Sequence, residues 1–192
     1  MARIFITGST DGIGLRTAAC PGAEAVLVGD LSSLAETKTL AAEASRSGKF
    51  DCIIHNAGVY RGQDNVVSRD TGFPRLFCRQ HARALDTMPR GVTYSDSKLH
   101  NTMLAKYFAR HGVEAASSVG SGWVPTKMGG RSAPDSTGAA KTAASGAYFV
   151  NSREASPQAV ANDEAQQDAL VAELAKLSGD SEPLAMLADR VA

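Results

Sequence analysis

The sequence has no excess of charge, few cysteines and no metal-ligand spacing, and each absence excludes a class of function. Twenty basic and twenty acidic residues balance, so nothing in the composition would attract nucleic acid or an anionic membrane. The three cysteines, Cys20, Cys52 and Cys78, are an odd number without CxxC spacing. This pattern fits a reducing compartment better than a disulfide scaffold or a zinc site. The four histidines show no metal-binding spacing either.

Long hydrophobic runs are also missing. No stretch approaches the roughly 20 apolar residues that a membrane-spanning helix needs, and the first apolar run, Ile4–Ile6, is too short for a signal peptide. We therefore expect a cytoplasmic protein without nucleic-acid or membrane partners. The 192 residues are enough for a single domain with a substantial core. Because Cys52 lies in an apolar run, we expect it to be a small buried hydrophobic side chain.

The first third of the chain alternates between short apolar runs and helical patterns. Buried strands are predicted at residues 3–7, 25–29 and 51–55. One helix is predicted at 12–20. A second follows Ser32, begins with a capping box of Ser33 and Glu36, and ends at Gly48. Continuous apolar strands that alternate with helices indicate an α/β fold with a doubly wound parallel sheet.

The rest of the chain is less regular. Residues 73–89 have only a weak helical stripe, whereas 94–111 form a clear helical pattern. The apolar side of that pattern consists of Leu99, Met103, Leu104 and Phe108. Two more strands are predicted at 113–119 and 147–150, and a final helix at about 163–177. The sheet therefore has about five strand candidates.

Three glycines, Gly8, Gly12 and Gly14, lie between the first predicted strand and the first predicted helix. A glycine-rich turn at this place lets backbone N–H groups approach a pyrophosphate, whose charge the helix N-terminus favours. The spacing is not GxGxxG, and three glycines alone would also suit a purely structural loop. The position directly after the first strand favours a nucleotide-binding turn.

Several segments in the same order resemble the short-chain dehydrogenase/reductase family. They are TGSTDGIG at residues 7–14, Asp30-Leu31, HNAG at 55–58, YSDSK at 94–98 and GWVPTKM at 122–128. The matches extend over most of the chain, and their order is more specific than any one of them. The resemblance implies a Rossmann-like fold, reduced here from the family's usual seven strands, and an NAD(P)-dependent oxidoreductase.

The resemblance also implies a cofactor site for NAD or NADP. Its pyrophosphate would lie on Gly8, Ser9, Gly12, Ile13 and Gly14, and its adenosine beside Asp30, Leu31, Asn56, Ala57 and Gly58. Thr126 would contact the nicotinamide carboxamide, and Lys98 would hold the ribose. Asp30 has an alternative role as the ligand of the ribose 2′-hydroxyl, because it follows the turn at nearly the spacing typical of Rossmann folds.

Tyr94 and Lys98 form the YxxxK pair that carries the chemistry in this family. Residues four apart lie on one face of a helix, so the lysine ammonium can lie near the phenol. Its positive charge favours the phenolate and lowers the tyrosine pKa from about 10 towards neutrality. Tyr94 is therefore the expected general acid towards a carbonyl substrate, or the general base towards an alcohol.

Two family segments are missing from the sequence. Only sixteen positions separate Gly14 from Asp30, which leaves no room for the family's second strand. No strand with a catalytic serine precedes Tyr94 either, and the position thirteen residues before Tyr94 is His81. Without that serine, the substrate carbonyl loses orientation and polarisation.

The segment FCRQHARAL, residues 77–85, suggests a cause for one of these departures. If it is encoded by TTCTGCCGTCAACACGCTCGCGCCCTAC, removal of the T after TTC yields FAVNTLAPY, which is typical of the family helix that carries a conserved asparagine. Gln80 would then occupy that position by chance. We interpret the segment as a shifted reading frame. Codons in the coding DNA that are incompatible with this string would exclude the interpretation.

Loss of the second and fifth strands is expected to leave sheet edges unpaired, because short crossovers cannot easily rearrange a parallel sheet. We predict marginal stability and a tendency to aggregate. Circular dichroism with a thermal melt tests this, and a cooperative, soluble transition at high temperature would contradict it.

Two functions follow from the sequence. The first is hydride transfer between a nicotinamide cofactor and a small alcohol or carbonyl substrate, and the family resemblance is compatible with a homo-oligomer. The second is a degenerate, catalytically inactive member that binds a dinucleotide weakly or not at all. Asp11 stands where NADP-preferring relatives often carry a basic residue, which favours NAD slightly.

Overall fold

A computed structural model of the chain describes residues 2–19, 23–58, 94–113, 115–121, 124, 126, 145–151 and 153–179. The chain divides into two compact units, Met1–Arg75 with Pro125–Pro134, and Leu76–Val124 with Asp135–Ala192. The weak helical pattern at 73–89, which contains His81, lies outside the described residues. Over the ranges described, no helix has the length and apolar composition needed to cross a membrane.

The first unit contains two strands and two helices in its described part. They are β1 (Ile4–Ile6), α1 (Gly12–Ala19), α2 (Leu34–Arg46) and β2 (Cys52–Ile54). The strands pair in parallel, with Ile4 opposite Cys52. The predicted strands at 3–7 and 51–55 and both predicted helices are present. The strands are not buried as predicted, because Ile4 and Ile53 are each 51% exposed. The parallel pairing agrees with an α/β fold.

The N-terminus of α2 is fixed by the residues that the sequence marks as a cap. The Ser33 hydroxyl accepts a hydrogen bond from the Glu36 amide at 3.2 Å. The Glu36 carboxylate reaches one turn further back than a capping box requires, and accepts from the Asp30 amide at 2.8 Å. At the other end Gly48 adopts a φ of +100°, which glycine tolerates best. The predicted start and end of this helix are both confirmed.

Two further predictions about the first unit are wrong. Residues 25–29 do not form a strand, and Val26 and Val28 are 74% and 89% exposed. A strand needs a hydrogen-bonded neighbour, and among the described residues of this unit the paired strands are β1 and β2. Cys52 is exposed rather than buried. Its sheet has two strands in the described part, and Ile4 opposite it also remains half exposed.

The second unit contains two helices, three short strands and one turn of 3₁₀ helix in its described part. They are α3 (Tyr94–Arg110), β3 (Ser118–Gly120), β4 (Tyr148–Val150), β5 (Arg153–Glu154), the 3₁₀ turn (Ala159–Asn162) and α4 (Glu164–Ser178). β3 and β4 pair in parallel, and β4 and β5 pair antiparallel. The predicted strand at 147–150 and both helices are confirmed. The predicted strand at 113–119 is shifted, because only its last two residues belong to β3.

The core of the second unit lies between α3, the 3₁₀ turn and α4. Leu99, Met103, Ala161 and Leu170 form one buried cluster. Three partly buried residues pack against this cluster: Leu104 from α3, Val160 from the 3₁₀ turn and Leu174 from α4. The Asp163 carboxylate caps α4 by accepting from the Gln166 amide at 3.2 Å, and Gly179 ends the helix with a φ of +70°. The apolar side of α3 therefore faces α4.

Candidate active site

The glycine turn follows β1 and leads directly into α1. Gly8 and Gly12 have φ values of +68° and +56°, in the left-handed region that glycine enters without steric cost. Gly8, Thr10 and Asp11 are exposed, so one side of the turn is open to solvent. The N-terminus of an eight-residue helix lies at its end.

The inner side of the turn leaves no space for side chains. A Cβ atom at Gly14 would lie 2.2 Å from the Gly8 carbonyl oxygen and 2.4 Å from Asn56 Nδ2. A Cβ at Gly8 would lie 2.7 Å from the Cα of Ala57. The backbone of the turn therefore folds back against the end of β2, and the two glycines are required by packing.

Asn56 connects the end of β2 to the turn. Its Nδ2 donates to the carbonyl oxygens of Thr7 at 3.1 Å and Gly8 at 3.2 Å. The Ala57 amide donates to the Thr7 hydroxyl at 3.1 Å. The structure thus brings Asn56 and Ala57 together with the glycine turn. Thr7, the first residue of the TGSTDGIG segment, was not among the predicted cofactor-binding residues.

Asp11 and Thr126 lie at the start of α1. The Asp11 carboxylate accepts a hydrogen bond from the Gly12 amide at 2.7 Å. The backbone carbonyl oxygen of Asp11 accepts one from the Leu15 amide at 3.2 Å. The Thr126 side chain lies beside Gly12, 3.5 Å from where a Cβ of that glycine would be. The structure therefore brings Thr126, distant in sequence, to the turn within the first unit.

Asp30 and Leu31 lie just before α2. Asp30 Oδ1 accepts from the Ser32 amide at 2.9 Å and from the Ser32 hydroxyl at 2.6 Å. Two donors orient this carboxylate, and Glu36 holds the backbone of the same residue. Leu31 is 40% exposed. Ser32 and Glu36 thus support Asp30. Glu36 was predicted only as part of the helix cap, and no role was predicted for Ser32.

His55 replaces the first asparagine of the family's NNAG motif. Partial loss of hydration lowers the pKa of its imidazole below 6.5, although the residue keeps an exposed surface. The ring is therefore neutral at pH 7, and like an asparagine amide it can donate one hydrogen bond and accept another. Gly58, at the end of the motif, is exposed.

Tyr94 and Lys98 belong to the second unit. Tyr94 is the first residue of α3, and its side chain lies outside the part of the chain that the structure describes. Lys98 follows one helical turn later and is exposed. The continuous helix gives the YxxxK pair the spacing that places both residues on one face.

The geometry of the first unit suits the pyrophosphate of a dinucleotide. The turn has no side chain at three positions, is exposed at Gly8, Thr10 and Asp11, and leads directly into the N-terminus of α1. Backbone amides and the positive end of a helix dipole stabilise an anion at such a place. These residues therefore fit the cofactor that the sequence motifs imply.

Comparisons with known proteins support this assignment. An uncharacterized oxidoreductase of Emericella nidulans is 40% identical over 190 aligned positions, which cover 70% of this chain and 74% of the relative. The short-chain dehydrogenase chyC of Penicillium rubens is 33% identical over 198 positions, covering 70% and 76%. The short-chain dehydrogenase chry4 of Gibberella zeae is 29% identical over 255 positions, covering 93% and 98%. No protein-family model and no solved structure match the chain.

The chain therefore belongs to the short-chain dehydrogenase/reductase family, whose members are NAD(P)-dependent oxidoreductases with a Rossmann-like α/β fold. The alignment with the Gibberella zeae relative spans 255 positions, more than the 192 residues of this chain. Some positions of that relative consequently have no counterpart here.

Proposed function

We propose that the protein transfers hydride between NAD or NADP and a small alcohol or carbonyl substrate. The observation that carries this proposal is the glycine turn, whose backbone is fixed by Asn56 and whose outer side is open. Family membership supplies the class of reaction, and the turn supplies a place for the dinucleotide.

We assign the cofactor-binding residues as follows. Gly8, Ser9, Gly12, Ile13 and Gly14 hold the pyrophosphate through backbone amides; Asp30, Leu31, Asn56, Ala57 and Gly58 border the adenosine; and Thr126 contacts the carboxamide. The contact of Thr126 with Gly12 supports its assignment, because the pyrophosphate turn and the carboxamide contact belong to one bound molecule. The two hydrogen bonds from Ser32 support the role of Asp30, because they orient its carboxylate.

Tyr94 and Lys98 perform the proton chemistry in this proposal. The nicotinamide, when bound, supplies or accepts the hydride. The Tyr94 phenol gives its proton to the carbonyl oxygen of the substrate, or takes the proton from the alcohol in the reverse direction. The Lys98 ammonium stabilises the phenolate through its charge and holds the ribose hydroxyls.

The reaction is expected to be slow because the catalytic serine is missing. We propose that the chain is a reduced doubly wound domain that lacks the family's second and fifth strands, the latter being the strand that carries this serine. The unmatched positions of the Gibberella zeae relative and the exposed Val26 and Val28 support this view. Loss of one donor to a developing oxyanion costs about 10²–10³-fold in turnover.

NAD is the preferred cofactor in this proposal. The Asp11 carboxylate lies at the start of α1, bonded to the Gly12 amide. A negative charge there adds repulsion to a dinucleotide with an additional phosphate. NADP-preferring members often have a basic residue in its place.

Fluorescence titration with NADH and NADPH tests the cofactor assignment. NADH is expected to bind more tightly than NADPH, and failure of both to bind would refute the proposal.

A panel of ketones then tests turnover, with Tyr94→Phe as the control. Binding without any turnover would instead identify the chain as an inactive dinucleotide-binding member of its family.

Replacement of Asn56 by alanine is expected to weaken NADH binding and lower the free energy of unfolding. The substitution removes two hydrogen bonds that fix the turn and leaves two carbonyl oxygens without this donor, at a cost of about 1–3 kcal/mol. Urea denaturation followed by circular dichroism measures the stability. Asn101→Ala, at an exposed position on α3, is the matched control. Equal effects of the two substitutions would contradict the role of Asn56.

A further inference from the structure

A row of polar residues runs along α3 and continues beyond the YxxxK pair. Tyr94, Lys98, Thr102 and Lys106 follow one another at intervals of four, so each lies about one turn beyond the one before and the row winds gradually around the helix. Leu99 and Met103 belong to the buried cluster shared with α4. Lys98 is exposed whereas Thr102 is buried, so the polar row borders the side of α3 that forms the core.

Thr102 connects Lys98 to strand β3. Its side chain is buried, with 6% of the residue exposed. The Thr102 hydroxyl donates to the carbonyl oxygen of Lys98 at 3.1 Å, and accepts from the Ser118 hydroxyl at 3.2 Å. One hydroxyl can make both bonds at once, because it has one proton and two lone pairs. These two hydrogen bonds connect Ser118 on β3 to the backbone of Lys98.

Lys106 makes a second polar contact from the same row. Its Nζ donates to the Gly146 carbonyl oxygen at 2.9 Å, just before β4. The Gly146 amide in turn donates to the Ala116 carbonyl oxygen at 2.7 Å, just before β3. The polar row of α3 is thus bonded to both parallel strands or their approaches. Apolar packing tolerates small sliding between elements, whereas directional hydrogen bonds fix both rotation and height.

We propose that Thr102 and Ser118 are positioning residues for Tyr94 and Lys98. The hydroxyl pair sets the rotation and height of α3 on β3, and so determines where the first two turns of the helix present the phenol and the ammonium. This inference rests on the proposed function of Tyr94 and Lys98. Proton transfer depends steeply on such placement, because a displacement of about 1 Å costs on the order of 10²-fold in rate.

The bond from Thr102 to Lys98 has a specific local effect. A threonine hydroxyl that bonds the carbonyl four residues earlier bends a helix slightly, and here the bend lies between Lys98 and Thr102. Thr39 makes the same type of bond to Ala35 in α2, at 3.1 Å and at an exposed position. Thr39 is therefore a matched control with the same backbone bond in the other unit.

The test measures the ionisation of Tyr94 directly. The chain has four tyrosines, so the tyrosinate absorbance of each variant is titrated with pH and compared with the same variant carrying Tyr94→Phe. Thr102→Val keeps the shape of the side chain and removes both hydrogen bonds, and Ser118→Ala removes the bond to the strand alone. In both we expect the Tyr94 midpoint to rise by about half a pH unit or more, because the Lys98 charge is displaced.

Thr39→Val is expected to leave the Tyr94 midpoint unchanged. Thr102→Ser is expected to have the midpoint of the parent chain, because serine keeps the hydroxyl. Turnover of Thr102→Val is expected to fall about tenfold with KM unchanged. If Thr102→Val does not fold, Ser118→Ala decides alone, and an unchanged midpoint in a folded variant overturns the proposal. The titration requires no turnover, so failure of the proposed oxidoreductase function is detected separately by the Tyr94→Phe assay.

Discussion

Alanine at Gly14 is expected to abolish dinucleotide binding and to destabilise the first unit by about 2–4 kcal/mol. The added Cβ would lie 2.2 Å from the Gly8 carbonyl oxygen and 2.4 Å from Asn56 Nδ2. The nearest of these contacts is with backbone, so no side-chain rotation relieves it. The turn must open, and the amides that would hold a pyrophosphate then lose their arrangement. NADH fluorescence titration and urea denaturation measure the two effects.

Gly29→Ala is the matched control for this substitution. A Cβ at Gly29 would lie 3.4 Å from Leu40 Cδ1, an ordinary contact with the end of a flexible side chain. Both glycines are in the first unit and neither has a positive φ. Gly29→Ala is therefore expected to change stability by less than about 1 kcal/mol. A Gly14→Ala variant that binds NADH like the parent chain would refute the geometry of the turn.

Phenylalanine at Tyr94 is expected to lower turnover by about 10²–10⁴-fold while the dissociation constant of NADH stays unchanged. The substitution removes one oxygen, and with it the only proton that the proposal gives to the substrate. The ring and the helix are kept, and the pyrophosphate is assigned to the glycine turn, so binding of the dinucleotide is not affected. Steady-state kinetics of ketone reduction measure turnover, and fluorescence titration measures the dissociation constant of NADH.

Tyr107→Phe makes the same chemical change further along the same helix. The Tyr107 ring packs on His111 with 4.1 Å between ring centroids, and phenylalanine preserves this packing. Burial, and to a smaller extent the Asp168 carboxylate, raises the pKa of the Tyr107 phenol, so it stays protonated at neutral pH. We expect Tyr107→Phe to retain turnover. Equal activity of the two variants would eliminate Tyr94 as the acid.

Elements that depend on local chemistry could be predicted from the sequence. The ends of α2 follow from Ser33, Glu36 and Gly48, whose effects act within one or two turns of the chain. The failure of residues 25–29 to form the predicted strand could not be foreseen, because an apolar run becomes a strand only when a neighbour supplies hydrogen bonds. Cys52 shows the same limit, since its burial depends on what covers the sheet rather than on its own strand.

The candidate site was predictable where family motifs carry it. The motifs marked both the glycine turn and Asn56 with Ala57 as cofactor-binding segments, whereas the hydrogen bonds that join the two segments through Thr7 are seen only in the structure. The hydroxyl pair of Thr102 and Ser118 was not predictable, because the two residues are of ordinary type and lie sixteen positions apart in the sequence. No local pattern marks such a pair. Only the docking of a helix on a strand brings it together.

The exposed stretch around Val26 and Val28 has a consequence for the amount of this protein in a cell. Exposed valine side chains resemble the surface that chaperones hold and proteases cut in partly unfolded chains. The steady-state abundance of the polypeptide is then set by quality control as much as by synthesis. A change of about 1–2 kcal/mol in stability alters abundance several-fold. The rate of any reaction that the protein catalyses in the cell would accordingly be limited by the concentration of folded chains more than by kcat.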